Sequence, residues 1–362
     1  MPDKRALVVG IGSYDMELGF PDLLGAVSDA RTIGELLETH HDGSPNWQVT
    51  YVVEEEDDDR RPRAVGRRTL TDEVEAFFDL AREHGSDGRP LPPTADLFFY
   101  FSGHATRRRT GQVELSARDG GGIDFTSLMA VLQRVHARSV TLVLDCCHSG
   151  NLARQPLYDA TLVAENLTIL AASRSDEDAL EDAERGGLFS ERLKGGLRGA
   201  AADLLGNVTA LSLYAHASGA FAEGHQRPTF KSHSVQPVVL RRAAPQVPIE
   251  RLAQLTSIFG EVGTKVYLTE AHEGDETDPD FTDRRDPERR AYTGTAKQIE
   301  LDHLKAYRDA HLVVSDDGRD FYFLCTDTVR ERKSVSLTPL GRYFWELTNA
   351  GLLDTVSDAA AS

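Results

Sequence analysis

Apolar residues in the first two-thirds of the chain come in short continuous runs, separated by longer stretches in which they recur every three or four positions. The runs RALVVGI, WQVTYVV, ADLFFYF, SVTLVLD and LTILAAS read as strands buried on both faces, because a strand with no wet side has no polar positions to alternate with. The stretches between them, including GAVSDARTIGELLETH, TLTDEVEAFFDLAREH and IDFTSLMAVLQRVHA, have the spacing of amphipathic helices. Alternating strands and helices predict an α/β unit with a mostly parallel sheet flanked by helices. In such sheets ligands bind beyond the carboxyl ends of the strands, and two ends, FFYFSGHA and LVLDCCHSG, carry reactive side chains.

The pattern then changes. From GGLFSERLKGGLRGAAADLLGNVTALSLYAHASG it becomes mainly helical, and RPTFKSHSVQPVVLRRAAPQVP reads as an irregular, proline-bearing exit. The run EEEDDDRRPRAVGRR, acidic and then basic, reads as a solvated insertion loop. Beyond the exit, IERLAQLTSIF, the polar EGDETDPDFTDRRDPERR and the helix-like AKQIELDHLKAYRDAHLVV lead to a strand pair around the DDG turn of SDDGRDFYFLCTD, and then to SLTPLGRYFWELTNAGLL. Helix, strand pair and helix is the order of a winged-helix module. Two domains are expected: residues 1–245, and a smaller winged-helix-like α+β accessory domain over 246–362.

Composition narrows the possibilities. A chain of 362 residues with 40% hydrophobic content can bury one sizeable core and a second, smaller one. The net charge of −18 argues against nucleic acid as a partner, since phosphate binding needs a basic face, and would sooner attract basic peptides. No apolar run approaches the roughly 20 residues of a membrane span, and MPDKRALVVGIGSY is too short in apolar residues for a signal peptide. No membrane partner is expected, and the cytoplasm is the expected location. Three cysteines, two of them adjacent, make a poor disulfide framework and fit a reducing compartment.

A cysteine attacks as thiolate, so a catalytic one needs a base within reach and donors that stabilise the anion. Cys147 follows one apolar strand and His104 follows another. Either alone reads as packing; at two strand ends of one sheet they read as nucleophile and base. A zinc site from Cys146, Cys147, His148 and His104 is disfavoured, because adjacent cysteines on an extended chain point to opposite faces and structural zinc prefers C-x2-4-C spacing. The same alternation puts Cys147 with Asp145 on the cleft face and Cys146 in the core as a small hydrophobe.

FSGHA together with DCCHSG resembles the caspase-like cysteine peptidases (clan CD, peptidase family C14), in particular the metacaspase and bacterial orthocaspase branch. The resemblance runs from about Lys4 to Val238 and takes in LLGAVSDARTIGELL, GGLFSERLKGGLRGAA and GNVTALSLYAHA. It implies a caspase-like sheet, His104 as general base, Cys147 as nucleophile, and an oxyanion hole from the backbone N–H groups of Ala105 and Cys147. The DCCHSG form belongs to the branch that cuts after arginine or lysine, whose acidic S1 pocket maps onto Asp29, Ser102 and Asp145. Two carboxylates at converging chain ends suit a guanidinium, which they can hold bidentately. Asp29 also reads as part of a helix start, with Ser28 or Asp29 at the cap.

Three departures from the family pattern stand out. Ala105 replaces the usual glycine after the histidine, keeping the N–H but losing easy access to positive φ. Ala26 stands where many metacaspases carry a second cysteine. ELSARDGGGIDFTSL offers Asp119 and Asp124 alone, with Arg154 near where a further ligand would come, whereas calcium takes about six to eight oxygens; neither a calcium requirement nor another cofactor is expected. Arginines read as loop residues, Arg107 to Arg109, Arg154, Arg241 and Arg242, are candidate processing sites. The expected activity is that of a cysteine endopeptidase acting on protein substrates with exposed Arg or Lys loops. By family analogy it would act in a bacterial defence or cell-death cascade, held as a zymogen until an activating protease or regulatory protein acts. The alternative is a catalytically silent caspase-like scaffold working through the C-terminal domain.

Overall fold

A computed structural model of the chain describes residues 3–56, 62–63, 65–79, 95–108, 112–146, 166–172, 187–219, 228–234, 237–268, 272, 296–318 and 334–353. The chain divides into two compact units, Met1–Ala244 and Pro245–Ser362.

The first unit opens with β1 (Asp3–Gly10), α1 (Ala26–Glu38), β2 (Gln48–Val53), the short pair β3 (Glu55–Glu56) and β4 (Pro62–Arg63), and α2 (Arg67–Asp79). It continues with β5 (Ala95–Gly103), β6 (Ala105–Arg107), β7 (Val113–Ser116), β8 (Gly122–Asp124), α3 (Phe125–Leu132), β9 (Ser139–Cys146) and β10 (Leu167–Ala171). It closes with α4 (Leu188–Gly195), β11 (Asn207–Thr209), α5 (Ala210–Gly219), β12 (Thr229–His233) and β13 (Val239–Arg242). The main sheet has the order β12-β10-β9-β5-β1-β2; its first five strands in the chain run parallel and β12 pairs antiparallel at one edge.

The central strands lack polar alternation because both of their faces are covered. In β5, Leu97, Phe99 and Phe101 join the core built by Leu70 and Phe78 of α2 and Phe125 and Leu128 of α3. Phe98 and Tyr100 point the other way, to Ile33 of α1, Leu193 of α4 and Leu213 of α5. Each fully buried side chain of this size contributes roughly 1.5–3 kcal/mol. Gly10 closes β1 where α1 lies directly upon it: an added Cβ would sit 2.6 Å from the Ala26 carbonyl oxygen and 2.8 Å from Ala30 Cβ.

The stretch RPTFKSHSVQPVVLRRAAPQVP is not an irregular exit, since it contains β12 and β13. Its prolines Pro228 and Pro237 precede the strands, where no ladder N–H is required of them. The charged insertion likewise carries β3 paired with β4. A three-stranded meander, β6-β7-β8, follows β5 directly.

The second unit consists of α6 (Ile249–Leu252), α7 (Leu255–Ile258), β14 (Val266–Tyr267), α8 (Ala296–Asp309), β15 (Val313–Ser315), β16 (Ser334–Leu337) and α9 (Pro339–Asn349). Its strands form an antiparallel sheet in the order β14-β16-β15, over a core that includes Leu255, Phe259, Leu304, Tyr307, Leu312, Val335 and Phe344. Thr338 caps α9 by accepting the Gly341 N–H at 3.0 Å, with Pro339 at the first helical position. The DDG turn after β15 is present, with Gly318 at φ 67°; the strand expected at FYFLC lies outside the described residues. Among the described residues no helix is long and apolar enough to cross a membrane.

Candidate active site

Three strands of the main sheet end in one row. Gly10 of β1 pairs with Ser102 of β5, and Ser102 pairs with Asp145 of β9. By the alternation of the pleat these positions share a face with Tyr100 and Val143, the face that α1 and α4 cover. Cys146, one residue on, turns to the opposite core with Leu142 and Leu144 and is fully buried.

Asp145 accepts a short hydrogen bond from Ser190 Oγ of α4. The Tyr100 hydroxyl lies 2.6 Å from the same Ser190 oxygen. Because Ser190 gives its one proton to Asp145, Tyr100 is the donor in the second bond, and the three groups form a chain, Tyr100 to Ser190 to Asp145. Burial, then the charges of Asp145 and Asp29, push the Tyr100 hydroxyl well above its usual range, so it stays protonated.

Asp29 reaches the same region from α1. It is not a cap: Gly25 holds that position and Asp29 lies in the first helical turn, only 1% exposed. Its Oδ1 accepts from Lys194 Nζ at 2.8 Å and its Oδ2 from the Gly187 amide at 3.3 Å. Lys194 also reaches Glu191 Oε2 at 2.7 Å. Burial raises the Asp29 carboxyl, with Lys194 opposing and the charge of Asp145 adding to the rise. Burial pulls Lys194 down, but its hydrogen bonds to Asp29 and Glu191 outweigh this and leave the ammonium held above its usual range. The site thus gathers two buried carboxylates, one satisfied by a hydroxyl and one by a cation.

His104 follows β5 immediately. Its amide donates to the Tyr14 hydroxyl at 2.7 Å, and its carbonyl accepts from the Ser116 amide at 2.9 Å. The imidazole lies between Tyr14, with ring centres 4.7 Å apart, and Phe20, at 4.9 Å. Nε2 is 2.8 Å from the Pro21 carbonyl oxygen. A carbonyl can only accept, so Nε2 carries the hydrogen and Nδ1 is the basic nitrogen of the neutral ring. The neutral ring can therefore accept a proton at Nδ1.

Ala105 opens β6. Rungs to β7 fall on His104 and Arg108, the latter donating to Gln112 O at 2.8 Å. Antiparallel pairing alternates, so the Ala105 N–H is directed away from β7. Among the described residues, positive φ outside glycine occurs at Asn166 and His311 alone, so Ala105 sits here without the backbone freedom of glycine.

Other expected positions fare differently. Cys147, Arg154 and Arg109 lie outside the described residues. Arg241 and Arg242 are not loop residues: both belong to β13, paired with β11, and the Arg241 side chain donates to Leu197 O at 2.9 Å and Thr39 O at 3.0 Å. Asp119 and Asp124 each serve a helix start, accepting from Arg67 N at 2.7 Å and Ser127 N at 2.8 Å. Sequence reasoning missed Tyr14, Phe20, Pro21, Ser190 and Lys194. The apolar content of GIGSY and the spacing of Ser190 and Lys194 on one helical face were the only local traces they left.

A parallel sheet whose neighbouring central strands end together, one before a clamped histidine and the other at Asp-Cys, defines the caspase type of cysteine peptidase. Residues 3–239 match the family model of the caspase domain, peptidase C14, and the chain belongs to that family. A solved structure, caspase-1 from Spodoptera frugiperda, is similar over 67% of this chain and 91% of that chain, at 13% sequence identity and a TM-score of 0.42. No curated protein sequence matches.

Proposed function

We propose that the protein is a cysteine endopeptidase that cleaves protein substrates after arginine, with lysine second, by means of His104 and Cys147. The observation that carries the specificity is the pair of buried, mutually interacting acidic residues, Asp29 in the first turn of α1 and Asp145 near the end of β9. A buried anionic pair recruits a cation, and an arginine fork can satisfy both partners where an aspartate side chain would be repelled. Ser102, in the row between Gly10 and Asp145, completes the floor of this S1 pocket.

The dyad is supported by register: Gly103 pairs with Cys146 at the last rung between β5 and β9, and His104 and Cys147 are the residues that follow them in the sequence. His104 Nδ1 takes the thiol proton, the sulfur attacks the scissile carbonyl carbon, and the oxyanion is met by the N–H groups of Ala105 and Cys147. His104 then returns the proton to the leaving amine, and water hydrolyses the thioester. The metacaspase or orthocaspase branch, a zymogen state released by an activating protease or regulatory protein, a cytoplasmic location and a role in bacterial defence follow from the same resemblance. The second unit serves as an accessory domain over 246–362. Its strand pairing, first with third and third with second, supports a winged-helix-like reading.

A panel of fluorogenic peptides differing only in the residue before the scissile bond tests the assignment. Turnover is expected with Arg, less with Lys and little with Asp; a preference for Asp over Arg would refute the pocket.

A further inference from the structure

Ser190 and Lys194 are four residues apart on α4 and so share one helical face. That face meets both carboxylates of the proposed pocket: Ser190 bonds Asp145, and Lys194 bonds Asp29 with both partners buried. The position proposed for a substrate's basic side chain on Asp29 is therefore already taken by an ammonium of the protein's own. The second partner of Lys194 is of a different kind, since Glu191 is half exposed and lies one turn back on the same helix. Lys194 has an inner berth on Asp29 and an outer one on Glu191, so leaving the first does not strip it of counter-charge.

We infer that Lys194 is a specificity-determining residue: a resident cation that occupies Asp29 in the resting protein and is displaced toward Glu191 when the substrate's arginine or lysine enters. The inference rests on the pocket assignment above and adds a threshold to it. Only a side chain that can compete with a lysine ammonium for Asp29 gains the full pocket, which favours the forked guanidinium of arginine over lysine, an equal competitor. Neutral side chains leave Lys194 in place and meet a pocket already filled.

The test uses the full-length protein and the same peptides. Lys194→Met is expected to lower KM for Arg peptides about tenfold or more, the worth of one charge-assisted hydrogen bond that no longer has to be exchanged, while kcat stays near wild type. A role in folding alone would instead lower the melting temperature and leave KM unmoved. An unchanged or raised KM in a folded Lys194→Met protein overturns the inference. Should that variant not fold, Glu191→Gln decides, because Glu191 is on the surface. Losing the outer berth is expected to raise KM about two- to fivefold, the size of a surface ion pair, and no rise overturns the inference. Failure of the underlying reading is seen separately, in the wild type: if it prefers Asp or neutral residues to Arg, the pocket assignment falls and takes this inference with it.

Discussion

Replacing Tyr14 by Phe isolates the hold on His104. The ring stays, so its packing 4.7 Å from the imidazole and against Phe20 is preserved; only the hydroxyl is lost. That hydroxyl accepts the buried His104 amide at 2.7 Å and makes a long 3.3 Å contact to the Ile11 carbonyl. Most of the effect therefore comes from the amide, left buried without its acceptor, a cost of about 1–3 kcal/mol. For a unit of this size each kcal/mol lowers the melting temperature by roughly 2–4 °C. The backbone at His104 also loses an anchor, while Nε2 keeps the Pro21 carbonyl, so kcat is expected to fall about tenfold with little change in KM, less than the 100-fold that a misplacement of about 1 Å can cost. Urea denaturation and steady-state kinetics on Tyr14→Phe check both quantities. Stability within about 0.5 kcal/mol of wild type together with unchanged kcat would refute the reasoning.

Two further predictions concern stability. Asp96 is fully buried at the opposite end of β5, paired with the part-exposed Arg138 through two hydrogen bonds and accepting Ser139 Oγ at 2.7 Å; Asp96→Ala leaves the buried Ser139 hydroxyl without its acceptor and a partly hydrated guanidinium without its partner, and should cost about 1–3 kcal/mol in urea denaturation. His40 accepts the Arg242 amide at Nδ1, 3.1 Å away, and burial followed by the charges of Lys4 and Arg242 lowers its pKa from 6.5 to about 4. The unfolded chain then binds a proton that the fold refuses, so stability should drop as pH falls from 6.5 toward 4. His40→Asn, which keeps an acceptor but cannot titrate, should flatten the urea midpoint across that window; an unaltered slope would contradict the assignment.

The architecture was legible where burial was continuous. Runs such as LVVG in β1 and LFFYF in β5 are apolar because both faces are covered, and that condition is written into every residue. The meander β6-β7-β8 escaped because its strands are three or four residues long and bury polar side chains, Glu114 and Ser116, at positions that look solvated. β12 escaped because an edge strand needs only one apolar face, and TFKSH scarcely has that. At the candidate site, motifs single out His104, Asp29 and Asp145 in the sequence but say nothing of their environment. The Pro21 carbonyl has no side-chain signature, and the partner of Asp29 lies 165 residues away on a helix whose own pattern says only that it is amphipathic.

The central claim, an arginine pocket beside a His104–Cys147 dyad, is tested most directly by covalent labelling of the intact protein with an arginyl chloromethylketone, read by mass spectrometry. The account predicts one adduct, on Cys147, formed faster than with the aspartyl reagent, absent in Cys147→Ala and slowed in His104→Ala. An adduct elsewhere, none at all, or faster labelling by the aspartyl reagent would contradict it.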